Sequence, residues 1–294
     1  MACYHPIPAF RTSDGQVVFR EAPGQVASLF LPCGRCVGCR LERARQWSVR
    51  IMHEASLYEA SSFVTLTYDE FHIPPGGALR YRDFQSFMKR LRNEVGPTRF
   101  FMCGEYGEKL SRPHYHVGLF GVDFRADRRP WRCTGAGFRL FRSPTLERLW
   151  FHGNSEIGEL TRESAAYMAR YTFKKVNGDL AESHYRVVDT DTGEVTVKPP
   201  EFARMSLKPG IGARWLELYG QGVADFDRVV VAGHEAKPPR YYDQLLKRRD
   251  PERFEEIQFA RAKAASLGAS DNSDERLAVR EAVATARTRF YKRK

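Results

Sequence analysis

Residues 99–121, RFFMCGEYGEKLSRPHYHVGLFG, contain two segments rich in aromatic and apolar residues on either side of a turn-rich segment. The first segment, RFFMCG (99–104), and the second, HYHVGLFG (114–121), are each predicted to be a β-strand. The glycines and the proline between them resist both helix and strand. We therefore expect the two strands to form an antiparallel hairpin.

The second strand of this hairpin places two histidines on one face. His114 and His116 alternate with aromatic and apolar residues, so the imidazoles share one face of the strand and the apolar side chains the other. Two imidazoles on a stiff strand are suited to bind a metal ion. Glu105 is the first candidate for a third ligand, and Glu108 is the alternative. The competing interpretation is a pair of half-exposed histidines with no ligand role.

The surrounding sequence predicts an α+β fold. Helical spacing of apolar residues, or strand-forming composition, predicts helices at about 37–60, 82–94, 144–151 and 161–176, and further strands at 62–68 and 156–160. Thr161 is predicted to cap the last of these helices, with Glu163 in its first turn. This order of elements favours one main domain, in which helices pack on an antiparallel sheet.

The helix predicted at 161–176 carries two tyrosines. Tyr167 and Tyr171 are four residues apart, so both phenols lie on one helical face. An aromatic core stripe is the ordinary explanation for such a pair. Here Arg170, Lys174 and Lys175 add positive charge that suits a phosphate, and tyrosine can act as a covalent nucleophile. Lys174 is a candidate phosphate contact, or else a solvated surface lysine.

Four of the six cysteines lie near the N-terminus. Cys33, Cys36 and Cys39 form two overlapping C-x-x-C spacings, and Cys3 is a candidate fourth thiolate. Such a set predicts a structural zinc site, although a second C-x-x-C pair is missing and Cys3 is distant in sequence. Cys103 is expected to be buried in its strand rather than reactive.

Charge and composition narrow the function. The 294 residues carry a net charge of +11 with 42% hydrophobic residues, which indicates a globular protein with a polyanionic partner, nucleic acid before a membrane surface. Simple solubility is the alternative explanation of the charge. With no signal peptide or membrane-spanning stretch in the sequence, we expect a cytosolic protein whose cysteines stay reduced.

Three regions differ in composition. Residues 1–40 form a cysteine-rich N-terminal arm, 41–235 the predicted catalytic domain, and 236–294 a basic, mainly helical C-terminal tail. The tail ends in TRFYKRK (288–294), which is expected to bind phosphate or to be disordered.

Six short segments together resemble the replication initiators of microviruses, especially the gokushovirus-like branch. They are PCGRCVGC (32–39), FVTLTYDE (63–70), CGEYGEKLSRPHYHVGLFG (103–121), ESAAYMARYTFKK (163–175), SLKPGIG (206–212) and KPPRYY (237–242). The resemblance runs from about residue 31 to 246 and rests on the order and spacing of the segments.

The resemblance implies a nuclease of the His-hydrophobe-His class, with a palm similar to ferredoxin or RRM domains. It implies that His114 and His116 bind Mg²⁺ or Mn²⁺ and that Tyr167 and Tyr171 are paired nucleophiles. Such an enzyme nicks and rejoins single-stranded phage DNA through a 5′-phosphotyrosine intermediate, in the cytoplasm of a bacterial host. The chain has no GxxxxGK[ST] loop, so we expect a host helicase to unwind the DNA and a host polymerase to extend it.

Two other functions fit parts of the sequence. One is a non-catalytic, zinc-stabilised protein that binds single-stranded nucleic acid, with salt-sensitive binding and no cleavage. The other is a transposase or mobilisation nuclease of the same chemical class.

Overall fold

The structure is a computed structural model of the chain, and it describes residues 3–21, 24–107, 110–171, 180–188 and 192–292. The strands are β1 (Ile7–Thr12), β2 (Val17–Val18), β3 (Gln25–Leu31), β4 (Ser61–Thr67), β5 (Arg99–Tyr106), β6 (Pro113–Phe120), β7 (Arg129–Cys133), β8 (Arg139–Arg142), β9 (Ser155–Glu159), β10 (Arg186–Val188), β11 (Val195–Val197), β12 (Phe202–Met205), β13 (Val229–Val231) and β14 (His234–Ala236). The helices are α1 (Val37–Ala55), α2 (Tyr81–Val95), α3 (Pro144–Leu149), α4 (Arg162–Tyr171), α5 (Leu180–Tyr185), α6 (Ala213–Phe226), α7 (Arg240–Arg249), α8 (Pro251–Leu267) and α9 (Asp274–Lys292).

Contacts divide the chain into two compact units. Unit 1 comprises Met1–Ala44 and Asp250–Lys294, and unit 2 comprises Arg45–Arg249. Unit 1 contains the small sheet of order β2-β1-β3, helices α8 and α9, and the N-terminal cysteines. The sequence analysis did not predict these three strands. The C-terminal region contains the helices α7, α8 and α9.

Unit 2 is built on a seven-stranded antiparallel sheet of order β12-β5-β6-β4-β9-β8-β7. The predicted α+β class, with helices packed on an antiparallel sheet, is confirmed. The predicted hairpin is also present, as β5 and β6, and β6 lies near the middle of the sheet. The strand order was not predicted, because pairing of β4 with β9 depends on residues distant in sequence.

One face of this sheet is covered by α2 and α3. Four apolar side chains of α2 are buried there, and Trp150 at the end of α3 is fully buried with them. Each such residue contributes about 2 kcal/mol by leaving water. Tyr115, on β6, points to this face and exchanges hydrogen bonds with the backbone of Arg80, at 2.9 and 3.0 Å. The buried Tyr115 thus fixes which face of β6 is turned towards the histidine side.

The opposite face carries the histidines and is partly covered by α1 and α4. Ile51 of α1 and Met168 of α4 are buried there against Phe101 of β5. Gly118 of β6 lets α4 approach closely, because a Cβ at this position would lie 3.2 Å from Cε of Met168. The close approach of α4 brings its exposed end to the histidine side of the sheet.

A buried ion pair joins α1 to β5. Glu54 is 1% exposed, and its two carboxylate oxygens accept hydrogen bonds from Arg99 Nε at 2.6 Å and from the backbone N–H of Gly212 at 2.7 Å. A side chain at Gly212, where φ is +79°, would overlap Tyr242. The segments SLKPGIG and KPPRYY are therefore needed together, since the first is packed against the tyrosines of the second.

Candidate metal centre and its tyrosine

Register brings the three predicted metal ligands together. Glu105 on β5 lies directly opposite His114 on β6, and opposing residues of an antiparallel pair point to the same face. His116, two residues further along β6, is the diagonal neighbour of Glu105. The three side chains thus meet on one face, as the sequence analysis predicted for Glu105. The alternative ligand Glu108 lies outside the described residues.

Both imidazoles are directed at one carboxylate oxygen. Nε2 of His114 lies 2.7 Å, and Nε2 of His116 lies 3.2 Å, from Oε1 of Glu105. Neighbouring ligands of an octahedral ion with bonds of about 2.1 Å are about 3 Å apart. The spacing and the donor set, two imidazoles and one carboxylate, therefore fit a divalent ion with open positions for other ligands.

The remaining ring nitrogens are held by hydrogen bonds. Nδ1 of His114 donates to the carbonyl oxygen of Arg112 at 3.1 Å, which leaves the Nε2 lone pair for a metal. Nδ1 of His116 lies 3.0 Å from the hydroxyl of Thr65 on β4, the residue opposite it in the sheet. The sequence analysis missed Thr65. Its alternation on the strand 62–68 could place it on the correct face, but only the strand order places it beside His116.

The site is almost dry. Glu105 is 3% and His116 is 6% exposed. Burial raises the pKa of Glu105, but hydrogen bonds from His114 and His116 outweigh it and leave the pKa below its usual value. Glu105 is therefore ionised at neutral pH, as a metal ligand must be.

The first of the two predicted nucleophiles lies beside this cluster. Tyr167 on α4 is half-buried, and its ring is edge-on to His116 with 5.0 Å between ring centroids. Phe63 stacks on the other side of His116 at 5.4 Å and contacts Tyr167 edge-on at 6.3 Å. Tyr167 is thus fixed by aromatic contacts at the edge of the metal centre.

The N-terminus of α4 is held as predicted. The hydroxyl of Thr161 accepts from the backbone N–H of Ser164 at 3.3 Å, and the hydroxyl of Ser164 accepts from the backbone N–H of Thr161 at 2.8 Å. This reciprocal cap fixes the start of the helix that carries Tyr167.

The other residues predicted on this helix are only partly described. Tyr171 ends α4, one turn after Tyr167, but its side chain lies outside the described residues. Lys174 and Lys175 lie wholly outside them. Arg170 is exposed, and its Nε donates to the carbonyl oxygen of Ala166 at 3.4 Å.

The N-terminal cysteines form a second cluster, within unit 1. The sulfurs of Cys3, Cys33, Cys36 and Cys39 all lie within 4.8 Å of one another and form no disulfide. Cys33 to Cys39 is 4.0 Å and Cys3 to Cys36 is 3.9 Å. Thiolates on a tetrahedral zinc, with bonds of about 2.3 Å, are about 3.8 Å apart. The predicted fourth cysteine, Cys3, is therefore where a zinc site requires it.

Thiolate character is supported by the backbone around Cys33. Burial opposes ionisation of this thiol, but hydrogen bonds from the backbone N–H groups of Cys36 and Arg35 outweigh burial and lower its pKa to about 7. Cys103, by contrast, is fully buried in β5, as predicted.

Comparison with known proteins gives a consistent family. The family model for replication-associated proteins of the ORF2 and gene 2 protein type matches residues 61–176. The chain is 33% identical over 270 residues to the replication-associated protein VP4 of Bdellovibrio phage phiMH2K, covering 87% of this chain and 80% of the relative. It is 30% identical over 281 residues to the replication-associated protein ORF2 of Spiroplasma virus 4, covering 86% and 83%.

A third relative is matched over a smaller part. The chain is 28% identical over 226 residues to the replication-associated protein ORF4 of Chlamydia phage 1, covering 74% of this chain and 54% of the relative. No solved structure matches the chain, so the likeness to the palm of His-hydrophobe-His nucleases stays a prediction.

Proposed function

Since this chain belongs to the replication-associated proteins of microviruses, we propose that it initiates rolling-circle replication by nicking single-stranded phage DNA with Tyr167 as nucleophile. The observation that carries the proposal is the position of the Tyr167 ring, 5.0 Å from the ring of His116 in a cluster suited to bind metal. An aromatic core stripe explains this less well, because Tyr167 is half-buried and faces polar ligands.

In the proposed reaction, the phenolic oxygen of Tyr167 attacks phosphorus. A tyrosyl phosphodiester bond forms to the 5′ end of the DNA, and the bond to the 3′ oxygen breaks. The phenol loses its proton, and the 3′ oxygen takes up a proton to become a free hydroxyl. The energy of the phosphodiester is kept in the adduct, so the strand can be rejoined later.

Glu105, His114 and His116 would hold Mg²⁺ or Mn²⁺, with imidazole ligands favouring Mn²⁺ between the two. When bound, the ion polarises the scissile phosphate and offsets the charge that develops on its oxygens. Thr65 and the Arg112 carbonyl orient the two imidazoles. Phe63 and His116 hold the Tyr167 ring in place.

Tyr171 is proposed as the second nucleophile, which cuts the regenerated origin while the released 3′ hydroxyl attacks the first adduct. Arg170, Lys174 and Lys175 are proposed to contact DNA phosphates. A host helicase and a host polymerase would supply unwinding and synthesis in the bacterial cytoplasm. Among the helices that the structure describes, none is long and apolar enough to cross a bilayer.

The cysteine cluster is proposed to bind a structural zinc ion. Four sulfurs at this spacing on backbone N–H donors support tetrahedral coordination.

The test is a covalent adduct assay. Purified protein is mixed with single-stranded DNA carrying the origin and Mn²⁺, and the products are separated on a denaturing gel. We expect a metal-dependent protein–DNA band that is lost when Tyr167 and Tyr171 are both changed to Phe and kept in the Tyr219→Phe control, where an exposed tyrosine of α6 is changed. DNA binding with no adduct or nick under any divalent ion would instead support the non-catalytic binding protein.

A further inference from the structure

The hairpin of β7 and β8 forms one edge of the seven-stranded sheet and is strongly basic. Residues 128–142, RRPWRCTGAGFRLFR, contain five arginines and no acidic residue. Every residue of β7 is exposed. An exposed edge strand is a site for unwanted pairing, and its arginines reduce that risk. Protection of an edge, however, does not require aromatic side chains.

Two large aromatic side chains are nevertheless exposed on this hairpin. Trp131 is 55% and Phe138 is 48% exposed. The guanidinium of Arg142 lies 5.1 Å from the centroid of the Trp131 ring. Aromatic rings beside arginines are the usual platform on which unpaired bases stack, while the arginines bind the phosphates.

The charge of the hairpin is only partly neutralised. Arg132 is paired with Glu156, and Arg142 is paired with Glu147. Arg129 and Arg139 are exposed, and neither forms an ion pair with any residue that the structure describes. These two side chains are therefore available to an external phosphate.

The hairpin is continuous with the metal centre across one face of the sheet. Thr65 lies opposite His116 on one side and opposite Glu156 on the other, so all three point to the same face. Glu156 accepts two hydrogen bonds from Arg132 of β7, at 2.9 and 3.1 Å. From β6 to β7 is four strand spacings, about 19 Å, which a few nucleotides of extended DNA can span.

We propose that the β7–β8 hairpin binds the single-stranded DNA that flanks the nick site, with a base stacked on Trp131 and phosphates on Arg129 and Arg139. The inference rests on the proposed function, because it assigns a path to the strand that Tyr167 cuts. Single-stranded DNA is favoured over duplex because only unpaired bases expose a face for stacking.

Binding is measured by fluorescence anisotropy on the full chain, with labelled oligothymidylate about 30 nucleotides long and a chelator to prevent cleavage. Trp131→Ala is expected to weaken binding at least about fivefold, and Trp131→Phe to restore most of it. Changing Arg129 and Arg139 to Gln is expected to lower the slope of log affinity against log salt by about 0.7 for each lost contact.

A matched pair at the end of α6 gives the control. Phe226 is 66% exposed, and the guanidinium of Arg228 lies 5.2 Å from the centroid of its ring. Phe226→Ala and Arg228→Gln should leave binding unchanged. Thermal unfolding of each variant confirms that it is folded.

Hairpin variants that bind oligothymidylate as tightly as the wild type would overturn the inference, and so would equal weakening on duplex DNA or a wild type that binds no single strand. Nicking is scored separately. A wild type that binds but never nicks refutes the proposed function and leaves the hairpin to be judged on affinity. A wild type that nicks, with unaltered affinity in the hairpin variants, refutes the hairpin alone.

Discussion

His114 and His116 differ in what holds their second ring nitrogen. The partner of His114 is a backbone carbonyl, which no substitution removes, whereas that of His116 is the Thr65 side chain. Groups that orient metal-binding histidines in this way tune metal affinity. Thr65 is therefore the residue where this support can be tested.

Thr65→Val should weaken Mn²⁺ binding about 10- to 100-fold, because the valine keeps the shape of the side chain and loses the hydroxyl that orients His116. Isothermal titration calorimetry on metal-free protein measures the effect. Thr67→Val is the matched control, because Thr67 points to the same face of β4 but bonds to the carbonyl oxygen of Asn154. Equal affinity in the two variants would show that Thr65 does not support the site.

His53 is a second residue with a testable titration, away from the metal centre. It is 3% exposed, stacks on Trp215 at 3.5 Å, and hydrogen-bonds to the hydroxyl of Tyr242 and the carbonyl oxygen of Val230. Burial lowers its pKa from 6.5 to about 4, and the hydrogen bond to Val230 only partly offsets this. The folded protein thus favours neutral His53.

Because the unfolded chain takes up this proton first, His53 should reduce the free energy of unfolding as pH falls from about 6.5 to about 4, by about 3 kcal/mol. Chemical denaturation at several pH values measures the slope. In His53→Phe, which keeps a ring for stacking, this part of the pH dependence should vanish. An unchanged slope in that variant would assign the acid sensitivity to other groups.

At the scale of elements, the turn before β9 is packed tightly against the end of β4. Gly153 has a φ of +149°, and a side chain there would overlap the backbone of Thr67 and Asp69. The turn can therefore be made only by glycine. The close contact sets the end of β4 beside His114, which pairs with Thr67.

Gly153→Ala should destabilise the protein by at least about 1 to 3 kcal/mol, because both the backbone strain and the overlap must be relieved. Gly135→Ala, in the β7–β8 turn, is the control, since a side chain there meets nothing within 4 Å. Thermal unfolding of the two variants gives the comparison. A Gly153→Ala protein as stable as the control would contradict the packing described for this turn.

What could be predicted from the sequence was local. The alternation around His114 and His116 gave their shared face, and the turn-rich segment before them gave the hairpin that brings Glu105 to the same face. The helix bearing Tyr167 followed from its apolar spacing and its Thr161 cap. These features depend on residues near one another in the chain.

What could not be predicted depends on distant pairing. Thr65 reaches His116 only because β4 pairs with β6, and Arg132 reaches the same face only because β8 separates β9 from β7 in the strand order. The approach of α4 depends on Gly118, whose role is not visible without the helix packed on it. The sequence analysis accordingly missed the β7–β8 hairpin and the three strands of the N-terminal arm.

At the scale of the whole molecule, the chain carries two ligand sets of different chemistry, one in each unit. Four thiolates select a soft ion such as zinc, whereas a carboxylate with two imidazoles accepts Mg²⁺ or Mn²⁺. A closed set of four sulfurs leaves no position for a substrate, so the cysteine cluster is expected to stabilise unit 1 rather than to catalyse.

Protein purified without chelators should contain about one zinc ion per chain, measured by plasma mass spectrometry. Cys36→Ser should lose this zinc and show a lower unfolding temperature, because zinc binding contributes to folding. Cys133→Ser, at an exposed cysteine of β7, should keep it. A zinc-free wild type, or full zinc content in Cys36→Ser, would contradict the site.

The most direct test of the account is to locate the DNA on the protein. The covalent adduct formed on origin DNA with Mn²⁺ is digested with protease and nuclease, and mass spectrometry finds the peptide that carries the residual nucleotide. We expect the nucleotide on Tyr167, or on Tyr171 within the same peptide region, joined through a 5′ phosphate. A nucleotide on any other residue, or a nick without an adduct, would contradict the role given to the tyrosine beside the metal centre.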